Sequence, residues 1–333
     1  MQPSAKRTAV PSGRVQPRFA GLVTFGRYPR LADVAAENRP VDWLVFGAPF
    51  DNGVTYRNGA RFGPRAIRDE SQYLKGYHLE HDLWLTESLS LADAGDATVE
   101  PYSPAANADA VAEWAATLNG GGDPADTRLL MLGGDHSNTL AGLRAAHRRS
   151  GAPEGGLALI HFDSHLDTVP EVWGEKHGHA SPFIRAIEEG VLDPERMLTV
   201  GIKGPLNTPD DLQYARDQGV TVLTYRDIAE RGTDEITAFA ERIGNAPAYL
   251  TFDIDAVDPV YAPGTGTPSV GGFTSAEALS MIRALAAASP VPNIVGADVV
   301  EVLPDRDVAG NTALLAAHLA FEILCIDAVR RKR

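Results

Sequence analysis

The sequence predicts an α/β fold in which a mostly parallel sheet is covered by helices on both faces. Short apolar runs such as Leu157–Ile160 alternate along the 333 residues with longer helix-like segments. This alternation is typical of parallel sheets buried on both sides. Gly-rich junctions separate the segments, and no long linker or low-complexity tract divides the chain. We therefore expect an N-terminal arm over residues 1–40 and a single domain over residues 41–333.

Strands are predicted where a near-continuous apolar run is short enough to be a buried strand. Three of these runs lead directly into acidic motifs, and the others fit between predicted helices. The predicted strands are Trp43–Pro49, Leu129–Leu132, Leu157–Ile160, Met197–Gly201, Val220–Leu223, Ala248–Phe252 and Ile294–Val299.

Helices are predicted between the strands, and several carry start or stop signals. Thr208 followed by Pro209 is a typical helix start, and Gly120, Gly190 and Gly219 each follow a predicted helix. The predicted helices are Asp69–Tyr77, Ala105–Leu118, Ser137–Arg149, Pro182–Glu189, Thr208–Gln218, Asp234–Ile243, Thr274–Ala288 and Thr312–Arg330.

Composition argues against several classes of protein. The net charge of −14 disfavours a nucleic-acid partner, and the Arg330–Arg333 tail is interpreted as charge that complements a helix C-terminus. No apolar core of signal-peptide length is seen, and no run approaches ~18 apolar residues, so we expect no membrane association. The single cysteine, Cys325, excludes an internal disulfide and fits a reducing cytoplasm. It lies in an apolar segment, where we expect it to be buried.

Three acidic motifs follow predicted strands and together offer ligands for two metal ions. They are Gly133–Ser137, Asp163–Asp167 and Asp253–Asp255. Ligands bind beyond the carboxyl ends of strands in open α/β sheets. In extended backbone, residues i and i+2 point to the same face, so alternating Asp and His side chains can converge. Helix capping is an alternative for any one aspartate, Asp135 above all, but it does not account for the whole set.

These motifs resemble those of the ureohydrolases, which comprise arginase, agmatinase and their guanidino-acid relatives. The resemblance extends from about Asp42 to Cys325, nearly the whole chain. Besides the three acidic motifs, it rests on Thr251–Pro259, Ala262–Pro268 with Gly271 and Gly272, Tyr56–Pro64 and Val299–Val302. The Ala262–Pro268 run is similar to the agmatinase branch. The resemblance implies a three-layer α/β/α fold.

The resemblance also implies a binuclear metal centre. One cation would be held by His136, Asp163, Asp167 and Asp253, and the other by Asp163, His165, Asp253 and Asp255. Asp163 and Asp253 would bridge the two. Two imidazoles with four carboxylates suit Mn²⁺, with Ni²⁺, Co²⁺ and Fe²⁺ as competitors. Mn²⁺ is also the metal that the resemblance implies.

Three residues are candidates for catalysis. Asp167 is expected to orient a hydroxide supplied by the two cations, and Glu301 to bind the guanidinium group through two hydrogen bonds. His179 occupies the place of the histidine in the family's His-Gly-Thr-Pro-Phe motif and is expected to protonate the leaving amine. His177 is a nearby rival for that role. Two departures from the family pattern are Ala180 for Gly, beside His179, and Ser164 for Ala.

The sequence does not decide which of several guanidino compounds is the substrate. The segment 168–178 lacks the Asn-Thr-Pro loop of the arginase branch, which disfavours arginine. A cationic tail could meet Glu171 or Glu175, and a carboxylate tail could meet Lys176 or Arg57. The overall acidity favours a dication, so we expect agmatine, which would yield urea and putrescine. Guanidino acids such as 4-guanidinobutyrate or 3-guanidinopropionate, and guanidine itself, are the alternatives.

Two other kinds of protein are disfavoured by the set of metal ligands. A catalytically silent metal-binding subunit is disfavoured because every proposed metal ligand is present. The single-zinc deacetylases share the general fold, but the six-ligand set disfavours them. By resemblance we also expect a homo-oligomer, a trimer or a hexamer.

Overall fold

The main sheet of the protein has eight strands, and all neighbouring strands pair in parallel. A computed structural model describes residues 7–333. The strands of the main sheet are β1 (Trp43–Ala48), β4 (Leu91–Asp96), β5 (Arg128–Gly133), β6 (Leu157–Phe162), β7 (Leu192–Ile202), β8 (Thr221–Thr224), β9 (Pro247–Asp253) and β10 (Asn293–Val300). Their order across the sheet is β4-β1-β5-β10-β9-β6-β7-β8. A separate two-stranded hairpin is formed by β2 (Tyr77–His78) and β3 (Leu83–Trp84).

Helices cover both faces of the main sheet. They are α1 (Gly63–Glu70), α2 (Leu85–Ser88), α3 (Pro104–Thr117), α4 (Asn138–Arg149), α5 (Pro182–Glu188), α6 (Gln213–Asp217), α7 (Tyr225–Arg231), α8 (Asp234–Ile243), α9 (Ser275–Ala287) and α10 (Asn311–Lys332).

The two faces of the sheet can be read from the side chains of β1. Trp43 and Val45 belong to the hydrophobic cluster that contains the apolar residues of α10. Leu44 and Phe46 belong to another cluster, with apolar residues of α3 and α4. Because successive side chains of a strand point to opposite faces, the sheet lies between two helical layers. The predicted three-layer α/β/α fold is confirmed.

All seven predicted strands are present, and most predicted helices agree with the structure to within a few residues. The predicted helix 208–218 is a 3-10 turn over Pro209–Leu212 followed by α6. The predicted helix Asp69–Tyr77 is wrong. The helix here is α1, which begins earlier, at Gly63 and Pro64, and ends at Glu70. Beyond it, Tyr77 and His78 pair with β3 instead of extending a helix.

The C-terminal helix α10 supports the core. Within the described chain it is the helix long and apolar enough to cross a membrane, but 89% of its most apolar window is buried inside the protein. Cys325 lies on it and is buried, as predicted. The composition of α10 is therefore that of a core helix.

The segment before β1 packs against the sheet edge through a few anchors. Phe25 is fully buried, and its N–H donates to the Asp93 carboxylate at 2.8 Å. The Thr8 hydroxyl donates to the carbonyl of Leu89 at 2.6 Å. The boundary near residue 40 between an arm and a catalytic domain stays a prediction.

Candidate metal centre and active site

Four adjacent strands of the sheet end at one cluster of carboxylates and imidazoles. The strands β5, β10, β9 and β6 are neighbours in that order. Asp135 and His136 follow β5, Glu301 follows β10, Asp253 is the last residue of β9, and Asp163 follows β6. Parallel strands bring their carboxyl ends to the same edge, where α/β proteins bind ligands. Residues far apart in the sequence thus meet here.

His136 lies at the centre of one half of the cluster. Its Nδ1 is 3.2 Å from Asp163 Oδ2, 2.8 Å from Asp167 Oδ2 and 3.3 Å from Asp253 Oδ2. Within the described residues this buried nitrogen has no hydrogen-bond partner. Its other nitrogen, Nε2, is 2.9 Å from the hydroxyl of Thr251. Placing the proton on Nε2 leaves the Nδ1 lone pair directed at three carboxylates, as a metal ligand requires.

His165 forms the other half of the cluster. Its Nδ1 is 3.4 Å from Asp163 Oδ1 and 3.1 Å from Asp255 Oδ2. Asp163 therefore presents one oxygen to each histidine, which is the arrangement of a bridging carboxylate. On Asp253, Oδ2 faces His136, and Oδ1 accepts the N–H of Asp255 at 2.8 Å.

The expectation of extended backbone in these motifs is wrong. Asp167 has a left-handed φ of 51°, and Ile254–Ala256 is a 3-10 turn. Asp163 Oδ1 accepts the N–H of His165 at 2.7 Å, a short-range turn of the kind that aspartate favours. The side chains still converge, but through tight turns after the strands instead of through continued strands.

The charge of the cluster requires compensation. Burial raises the pKa of Asp253 well above its usual range, and the nearby Asp255 and Asp163 carboxylates raise it further. Burial and the Asp163 charge also raise the pKa of Asp167. Buried carboxylates this close cannot all ionise unless cations lie between them. The donor set, the free Nδ1 of His136 and this crowding of negative charge fit divalent metal ions.

His161 supports the cluster from within the sheet. Its Nε2 is 2.8 Å from Asp163 Oδ2, and its Nδ1 is 3.2 Å from the hydroxyl of Thr199 on β7. Because His161 lies in a predicted strand, a role in supporting a metal ligand was one of the possibilities for it. The ring fixes the orientation of the carboxylate that joins the two halves.

Glu301 and His179 form a pair beside the cluster. Glu301 Oε1 accepts the backbone N–H of His136 and is 2.9 Å from His179 Nδ1. Oε2 of Glu301 is buried and has no hydrogen-bond partner within the described residues. His179 Nε2 lies 2.9 Å from the N–H and 2.7 Å from the hydroxyl of Thr55. Burial lowers the pKa of His179, but the Glu301 charge outweighs it and raises the pKa to about 9.

Asp135 has a structural position in the same region. Its Oδ2 accepts the N–H of Gly53, and its Oδ1 accepts the N–H of Ser137. Burial, followed by the charge of Glu301, raises the pKa of Asp135 to about 7. The following helix α4 has Ser137 as its N-cap residue and no side-chain capping hydrogen bond, so the capping alternative for this aspartate is not confirmed.

A cavity of about 440 Å³ leads to the cluster. Its lining includes His165, Asp167, His179 and Asp253 of the cluster, and also Asp211. The walls are largely apolar, and among the described residues they contain no lysine or arginine. The apolar wall residues are Leu166, Val169, Val172, Ala180, Pro205 and Leu206.

None of the four charged residues considered for the substrate tail lines this cavity. These residues are Glu171, Glu175, Lys176 and Arg57. His177 does not line it either, and its N–H donates to Glu175 at 2.7 Å. Asp211, which the motifs in the sequence did not indicate, is a third aspartate of the lining, besides Asp167 and Asp253.

A second group of histidines with a glutamate lies elsewhere, where α10 meets the β2–β3 hairpin. His78 Nε2 is 2.9 Å from Glu322 Oε2, and His78 Nδ1 accepts the N–H of His81 at 3.1 Å. Glu322 Oε1 accepts two hydrogen bonds from Arg283, at 3.0 and 2.6 Å. Because these atoms already have partners and the guanidinium neutralises the carboxylate, this group fits a structural ion pair.

Comparison with known proteins agrees with this geometry. The model of the arginase family matches residues 41–325. The chain is 40% identical to guanidinopropionase of Pseudomonas aeruginosa, over 93% of each chain. It is 38% identical to agmatinase of Chromobacterium violaceum, over 96% of this chain and 93% of the relative. The structure of proclavaminate amidinohydrolase from Streptomyces clavuligerus superposes with a TM-score of 0.84 at 38% identity, covering 95% of this chain and 100% of that one.

The match extends over most of the chain and includes all three acidic motifs and Glu301. The relatives cover it almost end to end, and their activities all release an amidino group by hydrolysis of a C–N bond in a linear amidine. The chain therefore belongs to the arginase family and is an amidinohydrolase that acts on guanidino compounds.

Proposed function

We propose that this enzyme hydrolyses agmatine to urea and putrescine with two Mn²⁺ ions. The observation that carries the choice of agmatine is the cavity: its largely apolar lining also contains Asp167, Asp253 and Asp211, and the described lining has no cationic side chain other than histidine. A substrate with a cationic group at each end of a methylene chain complements such a lining.

Six residues would hold the metal ions. His136, Asp163, Asp167 and Asp253 would bind one ion, and Asp163, His165, Asp253 and Asp255 the other, as the family pattern implies. When bound, two such cations supply a water molecule whose pKa is low enough for attack at neutral pH. Mn²⁺ is preferred over Ni²⁺ and Co²⁺ because four hard carboxylates outnumber the two imidazoles.

The protein side chains would then bind the substrate and move the proton. Glu301 is suited to binding the guanidinium group through Oε2, its oxygen without a partner. Asp167 would orient the attacking water. His179 would protonate the leaving amine, and its raised pKa of about 9 supports a protonated imidazole at neutral pH. His179 and Thr55 both line the cavity, and His179 Nε2 accepts the Thr55 N–H at 2.9 Å.

The outer end of the substrate would lie near Asp211. This carboxylate is held by the N–H groups of Asn207 at 2.8 Å and Thr208 at 3.2 Å, so it is fixed in place before substrate arrives. An ammonium group near it gains charge attraction, whereas a carboxylate tail is repelled. The apolar walls between would bury the methylene chain.

A urea-release assay over a panel of guanidino compounds tests this proposal. The panel contains agmatine, arginine, 4-guanidinobutyrate, 3-guanidinopropionate and guanidine. We expect the highest kcat/KM for agmatine, and for Asp211→Asn a higher KM for agmatine with little change in kcat. A higher kcat/KM for either guanidino acid than for agmatine would contradict the choice of substrate while leaving the reaction class intact.

A guanidino acid is the second candidate substrate. It is favoured by the likeness to guanidinopropionase, at 40% identity over 93% of the chain. The Asp211→Asn variant separates the two candidates. If the tail is a carboxylate, removing the Asp211 charge should lower KM; if the tail is an ammonium group, the change should raise it.

We also propose a cytoplasmic homo-oligomer, a trimer or a hexamer, by family resemblance. Light scattering of the purified protein during size-exclusion chromatography tests the assembly. A monomer at micromolar concentration would contradict it.

A further inference from the structure

Ser164 stands in the second acidic motif at a position where the family usually has alanine, and its hydroxyl contacts a candidate metal ligand. The side chain is fully buried. Its Oγ donates to Asp255 Oδ1 at 2.7 Å, and its backbone N–H donates to the same oxygen at 3.2 Å. The hydroxyl thus adds a second donor that an alanine in this place would not supply.

The two oxygens of Asp255 have different surroundings. Oδ1 accepts both hydrogen bonds from Ser164. Oδ2 is 3.1 Å from His165 Nδ1 and accepts the Thr267 hydroxyl at 3.2 Å. A carboxylate oxygen that already accepts two hydrogen bonds has less lone-pair density for a cation. Oδ2 is therefore the oxygen that faces the second half of the cluster.

Two further contacts bear on this arrangement. Ser164 Oγ is also 3.4 Å from His165 Nδ1, which is too long to compete with the 2.7 Å contact to Asp255. The Lys203 ammonium donates to the carbonyls of Asp255 at 2.7 Å and Ala256 at 3.1 Å. Lys203 thus holds the backbone of the 3-10 turn, while Ser164 at Oδ1 and Thr267 at Oδ2 hold the carboxylate.

We propose that Ser164 is a positioning residue that holds the Asp255 carboxylate with Oδ2 turned toward the His165 half of the cluster, where the second cation would bind. This inference rests on the two-ion centre of the proposed function. Groups that hydrogen-bond to metal-ligating carboxylates orient the ligand, and their loss typically lowers metal affinity about 10–100-fold. Removing the hydroxyl should therefore weaken the binding of the second ion. Binding at the His136 half, which Ser164 does not contact, should be unchanged.

The test is a titration of metal-free protein with Mn²⁺, in which free Mn²⁺ is followed by electron paramagnetic resonance. It compares the wild type, Ser164→Ala and Ser71→Ala. Ser71 is a matched control because it is also fully buried, and its hydroxyl donates to the carbonyl of Arg68 at 2.6 Å and accepts from Gly26 at 2.8 Å, far from the cluster in the fold. Thermal unfolding of the metal-free proteins measures any general loss of stability.

For Ser164→Ala we expect one of the two Kd values to rise about 10–100-fold, with the other within threefold of wild type. Ser71→Ala should leave both Kd values unchanged. Equal weakening of the binding of both ions, or a change of less than threefold in both Kd values, would overturn the role of Ser164. A wild type that binds fewer than two ions would instead contradict the proposed function, so the two failures are distinguishable.

Discussion

Glu301→Gln tests how the substrate is recognised. In the structure Oε1 of Glu301 accepts the His136 N–H and faces His179 Nδ1, whereas the buried Oε2 has no partner within the described residues. A glutamine can keep its amide oxygen at the Oε1 position and retain both contacts. Its NH₂ group then occupies the Oε2 position and faces the N–H donors of the guanidinium group.

The magnitude follows from the loss of one charge-assisted hydrogen bond. Such a bond contributes about 1.5–3 kcal/mol, which corresponds to about a 10–150-fold decrease in kcat/KM. Loss of the two hydrogen bonds to the guanidinium group that the sequence predicts would lower kcat/KM further. However, Oε1 already contacts two other groups, the His136 N–H and His179 Nδ1. We therefore expect the smaller, single-oxygen effect.

The assay is steady-state urea release, with metal content measured by mass spectrometry on the same samples. Glu322→Gln is the matched control, because Glu322 is also a buried, hydrogen-bonded glutamate but lies in the ion pair on α10. We expect the control to keep its kcat/KM. A Glu301→Gln enzyme within threefold of wild type, or one that has lost its metals, would refute the reasoning.

Three further predictions concern the metals, the proton and the ion pair. Asp253→Ala should abolish turnover and metal binding, because an oxygen next to His136 is lost; two retained ions with near-normal activity would refute its assignment. His179→Asn should lower kcat about 10²–10⁴-fold with both metals kept, while His177→Asn should have little effect; the reverse pattern in the pH–rate profiles would move the role to His177. Burial raises the pKa of Glu322, but hydrogen bonds from its partners outweigh this and lower it. Glu322→Gln should therefore lower the free energy of unfolding, measured with urea near neutral pH, by about 1–3 kcal/mol. This loss should fade as the pH drops through the lowered pKa; a loss independent of pH would contradict the prediction.

The gathering of the metal-ligand candidates could be predicted because each motif is local. Asp163 and His165 follow one apolar run, and Asp253 and Asp255 follow another. Parallel strands carry such ends to one edge whatever the order of the strands. The route taken by the backbone could not be predicted. Aspartates that accept nearby N–H groups form turns, and turns replaced the extended segments expected at Asp167 and Asp255.

Contacts between segments that are distant along the chain could not be predicted from the sequence. Thr55 and His179 are 124 residues apart, and Thr251 and His136 are 115 apart. No spacing rule links a threonine to a histidine at such separations, so these supports became visible only with the fold. Asp211 is a similar case, since it reads as part of the capping box of a helix start.

The missed secondary structure has more local causes. Strand β4 carries two aspartates and a glycine, a poor strand composition, but its Asp93 is paired with Arg68 at 2.8 Å. Helix α7 had a usable signal, because Thr224 and Asp227 form a capping box at its start. The start of α1 was also marked, by Pro64 in its first turn.

The most direct test of the binuclear amidinohydrolase is the urea formed from agmatine by metal-free protein as Mn²⁺ is added stepwise. We predict no urea without metal and a rate that reaches its maximum at about two ions per chain, the number that the six-ligand cluster can hold. A maximal rate at one ion per chain, or full activity in the metal-free protein, would contradict it.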